Sequence, residues 1–375
     1  VYRKLHLPAA LISTSLVVVA VSLSLFLTCH HLTSYTNPSE QKWIVAVISM
    51  VPVYATESII SLWSPKLSLY CDILRNCYEA FALYAFGRYL IACLGGEAEV
   101  EKLLEDEGRN KMEEPLLEIP PEEKTFRNFF FRPCRLGRDL FNIIRFGLVQ
   151  YMILKTLCAF LAFILEMVGV YGNGNFKWYY GYPYITIVMN FSQMWALYCL
   201  VQFYNVTYQR LQPIKPLAKF ISFKAIVFAT WWQGVGIVLL GEFKVFPKEE
   251  KFQAGLQDFL ICIEMAMAAV AHIFVFSARP YRFVMMNEKP TATTAVVVEK
   301  KETTLMDASG TSVKESVEDI VVQGGHKVVK DVVLTINQAI EPVQEGMTKI
   351  QEKFHKTTLT GDDSEIEVEV DKEEE

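Results

Sequence analysis

Four polar residues of one apolar stretch, Asp72, Arg75, Asn76 and Glu79, stand at spacings of three and four, so a helix carries them all on one face. The stretch around them, residues 68–94, is otherwise apolar (AFALYAFGRYLIACL) and long enough to cross a membrane. An ionisable side chain at a bilayer centre costs about 2.5–3.5 kcal/mol on insertion scales, so such a stripe must face protein or water. Arg75 can pair with Glu79 four positions on and with Asp72 three positions back. Other apolar stretches carry Glu57, Lys155, Glu166, Asn190, Gln193, Lys224, Gln233, Asp258, Glu264 and His272. Glu57, Asp72, Arg75, Glu79, Glu166, Glu264 and His272 are expected deep in the membrane. Arg88, Lys224 and Asp258 fall nearer expected helix ends, where snorkelling accounts for them. Two readings of the deep set stand side by side: it lines a polar cavity, or it forms structural pairs. Deep carboxylates outnumber deep bases, so part of the set is expected to be protonated or to hold a cation. His272 follows Glu264 by eight residues, about 12 Å along a helix, so the two do not bond to each other. The amides Asn190, Gln193 and Gln233 can bind a solute or bridge helices. The candidate cavity-lining residues are thus Glu57, Asp72, Arg75, Asn76, Glu79, Asn190, Gln193, Lys224, Gln233, Glu264 and His272.

No catalytic constellation accompanies them. The chain has no GxSxG, no GxxxxGK[ST] and no HExxH. Its eight cysteines (29, 71, 77, 93, 134, 158, 199, 262) lack CxxC or CxxxH spacing and read as small core residues, with Cys134 a candidate for palmitoylation. His30-His31 reads as an interfacial pair. No catalytic residue, cofactor or metal site is expected, and the chain is not expected to be an enzyme.

The elements that must position these side chains are seven apolar blocks, about 7–28, 43–63, 68–94, 146–171, 179–206, 217–241 and 254–278. Each approaches or exceeds the ~20 residues that cross the hydrocarbon core. In lipid every backbone polar group needs an internal partner, which predicts an all-α, seven-helix transmembrane bundle. The first block exceeds a signal-peptide core and reads as an anchor. Pro52 and Pro183 are expected to bend the second and fifth helices.

Charge is divided unevenly. Residues 291–375 carry nine Lys/Arg and nineteen Asp/Glu, a balance of −10, while the preceding 290 residues stand at +4. Neither part resembles a nucleic-acid surface. With seven spans, segments 29–42, 95–145, 207–219 and 279–289 share a side, with the tail, and hold sixteen Lys/Arg, against seven opposite. The positive-inside rule then puts the N-terminus outside or in the lumen and the tail in the cytosol. Asn205-Val206-Thr207 is a sequon, but this topology places it at the cytosolic end of the fifth span, so no N-glycan is expected.

The expected division is a membrane domain, 1–289, with a cytosolic loop at 95–145, and an acidic tail, 290–375. Residues 97–124 are acidic; residues 126–146 interleave Phe with Arg and read either as an inner-leaflet anchor or as the start of the fourth span. The tail is expected to open disordered and then to form an amphipathic helix over about 329–354. Val329, Val333, Ile336, Ile340, Val343, Met347, Ile350 and Phe354 alternate spacings of four and three there, with Pro342 dividing the stripe. That stripe suits a protein partner better than an anionic lipid surface.

Several strings occur together and in order: NPSEQKWI (37–44) leading into MVPVY (50–54), RNCYEAF (75–81), LGGE (94–97), YPYI (182–185), PIKP (213–216), KAIVF (224–228), WQG (232–234), QDF (257–259) and CIEM (262–265). Over about residues 5–285 the chain resembles the family of the organic solute transporter alpha-subunit and transmembrane protein 184, most closely its plant Lazarus-type branch. The resemblance implies seven helices with an outside N-terminus and makes Glu79, Lys224, Gln233, Asp258 and Glu264 family-motif positions. The animal branch is similar to facilitative carriers of amphipathic organic anions, including steroid conjugates, that work with a single-span partner. This chain lacks the cysteine-rich cluster associated with lipid modification there. The Lazarus-type branch is associated with plant endomembranes, vacuolar integrity, steroid-hormone signalling and programmed cell death. The function expected is movement or binding of amphipathic solutes or lipids along a polar path among spans two, three, six and seven, in the vacuolar membrane, other endomembranes or the plasma membrane. The alternative is a non-transporting scaffold acting through its tail in vesicle traffic or signalling. Partners expected are membrane lipids, an amphipathic organic solute or lipid and a protein for the 329–354 helix; a homo-oligomer is compatible, and nucleic acid is not expected.

Overall fold

A computed structural model describes residues 2–113, 137–172, 177–243, 250–279, 281 and 313–341. Each of the seven apolar blocks lies in helix. In chain order the helices are α1 (Tyr2–Thr33), α2 (Pro38–Ile48), α3 (Met50–Trp63), α4 (Ser68–Cys93), α5 (Glu97–Glu113), α6 (Arg138–Val168), α7 (Tyr182–Leu211), α8 (Pro216–Glu242) and α9 (Glu250–Val275). A last helix, α10, starts at Val313–Glu318, passes through a π-helical turn at Asp319–Gln323 and continues over 324–341. No strand occurs among the described residues. Five segments are long and apolar enough to cross a membrane: Leu7–Thr33, Pro38–Trp63, Arg138–Val168, Tyr182–Ile214 and Phe252–Val275. The long helix α4 is not among them, because its polar stripe lowers its mean hydropathy.

The chain divides into two compact units, Val1–Lys327 and Val328–Glu375. Within the first, α4 is the centre, packing against α2, α3 and α6 and touching α7 and α8; α9 packs against α1, α3 and α8. Close approach of α4 to α6 rests on Gly87, where a Cβ would collide with Leu148. The turn from α4 to α5 uses Gly95 and Gly96, with φ of 96° and 98°, a region that only glycine enters at little cost. In the second unit the described residues are helical, with Val329, Val333, Ile336 and Ile340 exposed.

The two prolines act differently. Pro52 lacks an N–H, and the second apolar block breaks just before it, at Ser49, between α2 and α3. The Ala46 carbonyl at that break receives the Tyr78 hydroxyl at 2.7 Å. Pro183 does not bend a helix: it occupies the first turn of α7, where its missing N–H is no loss.

The tail also departs from expectation. Its helix begins at Val313, some sixteen residues before the expected start, and residues 313–327 belong to the first unit. Ser316 Oγ donates to the Leu32 carbonyl at 3.4 Å, and the Tyr35 hydroxyl donates to Asp319 at 2.8 Å. Lys327 Nζ and Arg88 Nη1 both reach Glu97 Oε1, at 2.7 and 2.5 Å. These contacts gather 32–35, the α4–α5 turn and 313–327 at one end of the bundle. Burial alone would raise the Glu97 carboxyl, but hydrogen bonds from Lys327 and Arg88 outweigh it and hold the group down at about 2. The Phe/Arg segment from 126, up to residue 136, the stripe beyond 341 and Cys134 lie outside the described residues.

Candidate functional site

The polar face of α4 splits into two clusters one turn apart. At Glu79 two cations from different helices converge on one carboxylate. Lys155 of α6 stands 3.3 Å from Oε2 and Lys224 of α8 3.7 Å from Oε1, while the Tyr151 hydroxyl donates to Oε1 at 3.1 Å. All three charged side chains are nearly buried, at 8–12 % exposure, and the cluster carries one formal positive charge in excess. Lys224 Nζ makes no hydrogen bond among the described residues.

At Arg75 the balance reverses. Asp72 lies 3.4 Å away on the same helix, Asp258 of α9 at 3.7 Å and Glu57 of α3 at 3.8 Å. Arg75 also donates to Ser58 Oγ at 3.2 Å, and Ser61 donates to Asp258 at 2.6 Å. The guanidinium rests 5.8 Å from the centre of the buried Tyr54 ring. Three carboxylates and one guanidinium therefore clasp α3, α4 and α9 together.

Both clusters meet a cavity of about 1020 Å³. Its wall includes Asp72, Arg75, Asn76 and Glu79 of α4, Lys155 of α6, Asn190 and Gln193 of α7 and Lys224 of α8. Between these polar groups the wall is apolar and aromatic, with Ile73, Phe163, Met189, Leu197, Val227 and Phe228. It reaches Leu69, Tyr171 and Tyr182, at the end of the bundle away from the α4–α5 turn. Such a mostly apolar hollow with a few convergent polar groups is the usual form of a small-molecule site.

The structure thus brings Asp72, Arg75, Asn76, Glu79, Asn190, Gln193 and Lys224 to one cavity. Glu57 stands behind Arg75, buried, with neither carboxylate oxygen hydrogen-bonded among the described residues. Gln233 and Glu264 bond to each other between α8 and α9, away from the cavity wall. His272 is 1 % exposed against Phe276, and neither ring nitrogen has a hydrogen-bond partner among the described residues.

Several expectations are corrected. Glu79 turns from Arg75 to the two lysines, because tertiary partners on α6 and α8 lie within ion-pair reach. Lys224, Asp258 and Arg88 are buried in ion pairs and do not snorkel. Glu166 is exposed, two residues before the end of α6, so it is not deep. The cavity lies chiefly among the third to sixth apolar blocks, with only Tyr54 from the second and Gln257 from the seventh. Of the three amides named from the sequence, Gln233 does bridge helices, through Glu264; Gln150 and Ser192 bridge as well, exchanging hydrogen bonds of 3.1 and 2.8 Å between α6 and α7. His31 is buried and bonds the Phe276 carbonyl at 2.8 Å, joining α1 to the end of α9. The sequence reading missed Lys155 and Tyr151 as cavity-cluster residues; a lone lysine amid α6's apolar residues was the available signal. Among the described residues no group of His, Cys, Asp and Glu could hold a metal ion.

The model of the family described as organic solute transporter Ostalpha matches residues 9–281. Protein LAZ1 homolog 2 of Arabidopsis thaliana is 62% identical, over 97% of this chain and 94% of its own length. Protein LAZ1 of the same plant is 44% identical, over 93% of this chain and 78% of its own. A transmembrane protein 184 homolog of Dictyostelium discoideum is 35% identical over 70% of this chain and 51% of its own length. No solved structure matches. With its family-wide match and its LAZ1 relatives, this multi-pass membrane protein belongs to the organic solute transporter Ostalpha family.

Proposed function

We propose that the chain is a seven-span carrier that binds amphipathic organic anions, free or as lipids, and moves them across a plant vacuolar membrane, endomembrane or plasma membrane. The observation that carries this reading is the lysine pair sharing one carboxylate inside an apolar hollow. Glu79 neutralises only one of the two cations, so an incoming sulfate, carboxylate or phosphate head can take the other without leaving a charge unpaired. The hollow stands at the top of the usual range for drug-sized ligands, about 300–1,000 Å³, and its aromatic walls suit a steroid-sized body. A seven-span arrangement, N-terminus outside and tail cytosolic, is the topology the loop charges favour. It puts the cavity's loop end outside or in the lumen and 313–327 in the cytosol. Roles in vacuolar integrity, steroid-hormone signalling and cell death would follow from the solute moved.

Uptake of a radiolabelled steroid sulfate into proteoliposomes tests the reading, with the parent compared with Lys224→Ala and Glu79→Ala. Lys224→Ala is expected to lose at least tenfold in uptake. Flux equal in both variants and the parent would reject the site. The second reading is a scaffold that acts through its tail, and the exposed Val321, Val322, Val329, Val333, Ile336 and Ile340 favour it. It predicts that removing 290–375 abolishes function while cavity variants are silent.

A further inference from the structure

The cavity has a floor. Along α4 its wall runs from Leu69 to Glu79 and no further, and along α8 it ends at Phe220. Directly below, Phe86, Phe220 and Phe223 form a triangle of rings with centroids 5.7, 5.2 and 5.5 Å apart, Phe86 and Phe223 being almost wholly buried. Tyr89, one turn further down α4, continues this layer, its ring 6.2 Å from that of Phe86. Beside the same rings, outside the cavity wall, stands another cation, half-buried. Lys219 Nζ donates to the Tyr89 hydroxyl at 3.0 Å and to the Ile214 carbonyl at 2.7 Å, and lies 5.3 Å from the centre of the Tyr89 ring.

Lys219 and Lys224 are five residues apart on α8, about 7.5 Å along its axis. Phe220 and Phe223 of the aromatic layer lie between them in the chain. Among the described residues Lys219 hydrogen-bonds two neutral acceptors, a phenol and a carbonyl; the Glu40 carboxylate acts on it through space and is not bonded to it, whereas Lys155 is bonded to Glu79. The foot of α8 is also strained. Lys215, between Ile214 and Pro216, is the one non-glycine residue with positive φ among the described residues, at 48°. Strain at the base of an element that closes a cavity marks a place where that element can change its seating.

We propose that Phe86, Phe220 and Phe223 form the inner gate of the carrier and that Lys219 is a second anion station beyond it. An organic anion released by Lys155 and Lys224 passes to Lys219 when α8 shifts at Lys215 and Phe220 leaves the triangle. The rings delay small hydrophilic ions, which gain nothing from an aromatic layer, while an apolar body replaces one ring contact by another. Lys219 thereby binds the anion during translocation and takes no part in the first binding event. This inference rests on the carrier reading, and the experiment separates their failures.

Affinity of the purified protein for a steroid sulfate is measured beside its flux in proteoliposomes, for the parent, Lys219→Gln, Lys219→Arg and Phe220→Ala. Lys219→Gln is expected to bind within about twofold of the parent yet to move the anion at least tenfold more slowly, and Lys219→Arg to restore flux. Phe220→Ala is expected to admit inorganic sulfate, which the parent excludes. Loss of binding and flux in equal proportion in Lys219→Gln, or flux equal to the parent's, overturns the second station; continued exclusion of sulfate by Phe220→Ala overturns the gate. A parent that neither binds nor moves the steroid sulfate defeats the carrier reading itself.

Discussion

Glu79 and Arg75 sit four residues apart on α4, yet they organise opposite environments. Around Glu79, two lysines share one carboxylate at the cavity wall. Around Arg75, one guanidinium serves three carboxylates, two of them, Glu57 and Asp258, outside the cavity wall. On the proposed carrier reading the first cluster leaves a cation for a guest; the second uses its cation to hold α3 and α9 against α4. A single polar stripe thus divides into a part that can exchange partners and a part that fastens the bundle.

Arg75→Met breaks the fastening cluster most severely. It leaves Glu57 and Asp258 buried without their base, and removal of one partner from a buried ion pair costs about 3–5 kcal/mol. The thermal midpoint in detergent micelles should fall sharply, whatever ligand is present. Lys155→Met sharpens the contrast. It takes the Glu79 cluster from an excess of one positive charge to neutrality, so steroid-sulfate affinity should drop about tenfold or more while Glu79 keeps Lys224. A fall in stability as large as that of Arg75→Met, seen in the same melting experiment, would erase the distinction between the clusters.

The stripe at 72, 75, 76 and 79 was legible because helical spacing is local. Its pairing was not. Lys155 and Lys224 lie 76 and 145 residues away in the chain, and nothing in their surroundings names Glu79 as their partner. The local alternative, Arg75 with Glu79, satisfied the same spacing rule and lost to tertiary contacts. All-helical structure and the approximate limits of the long helices followed from apolar block length and the needs of backbone groups in lipid. Pro183 was misread because its distance from the true start of α7 decides whether it bends or begins a helix. The early start of α10 was hidden by Gly324-Gly325 and by a valine-rich, charged segment whose helix is fastened through Ser316, Asp319 and Lys327.

Smaller effects concern the tail. Glu97 is held below its ordinary range, at about 2 against 4.5, so its contribution to stability is fully present above about pH 4.5 and is lost as pH falls toward 2. The fluorescence anisotropy of a pH-insensitive dye attached through Val321→Cys should therefore be unchanged between pH 5 and 8 and should fall below 4.5; a change within 5–8 would contradict this. Lys327→Ala should loosen the same contact by about 1 kcal/mol or less, its side chain being partly exposed. The smallest expected effect is none at all: Asn205→Gln should leave electrophoretic mobility unchanged in a plant host, and a mobility shift would invert the proposed topology.

The most direct measurement compares binding of a steroid sulfate and of its neutral parent steroid to the purified protein and to the Lys155→Met/Lys224→Met double variant. A lysine pair that receives the anionic head predicts at least a tenfold loss for the sulfate and little change for the neutral steroid. Equal losses for both ligands, or none for either, would contradict it.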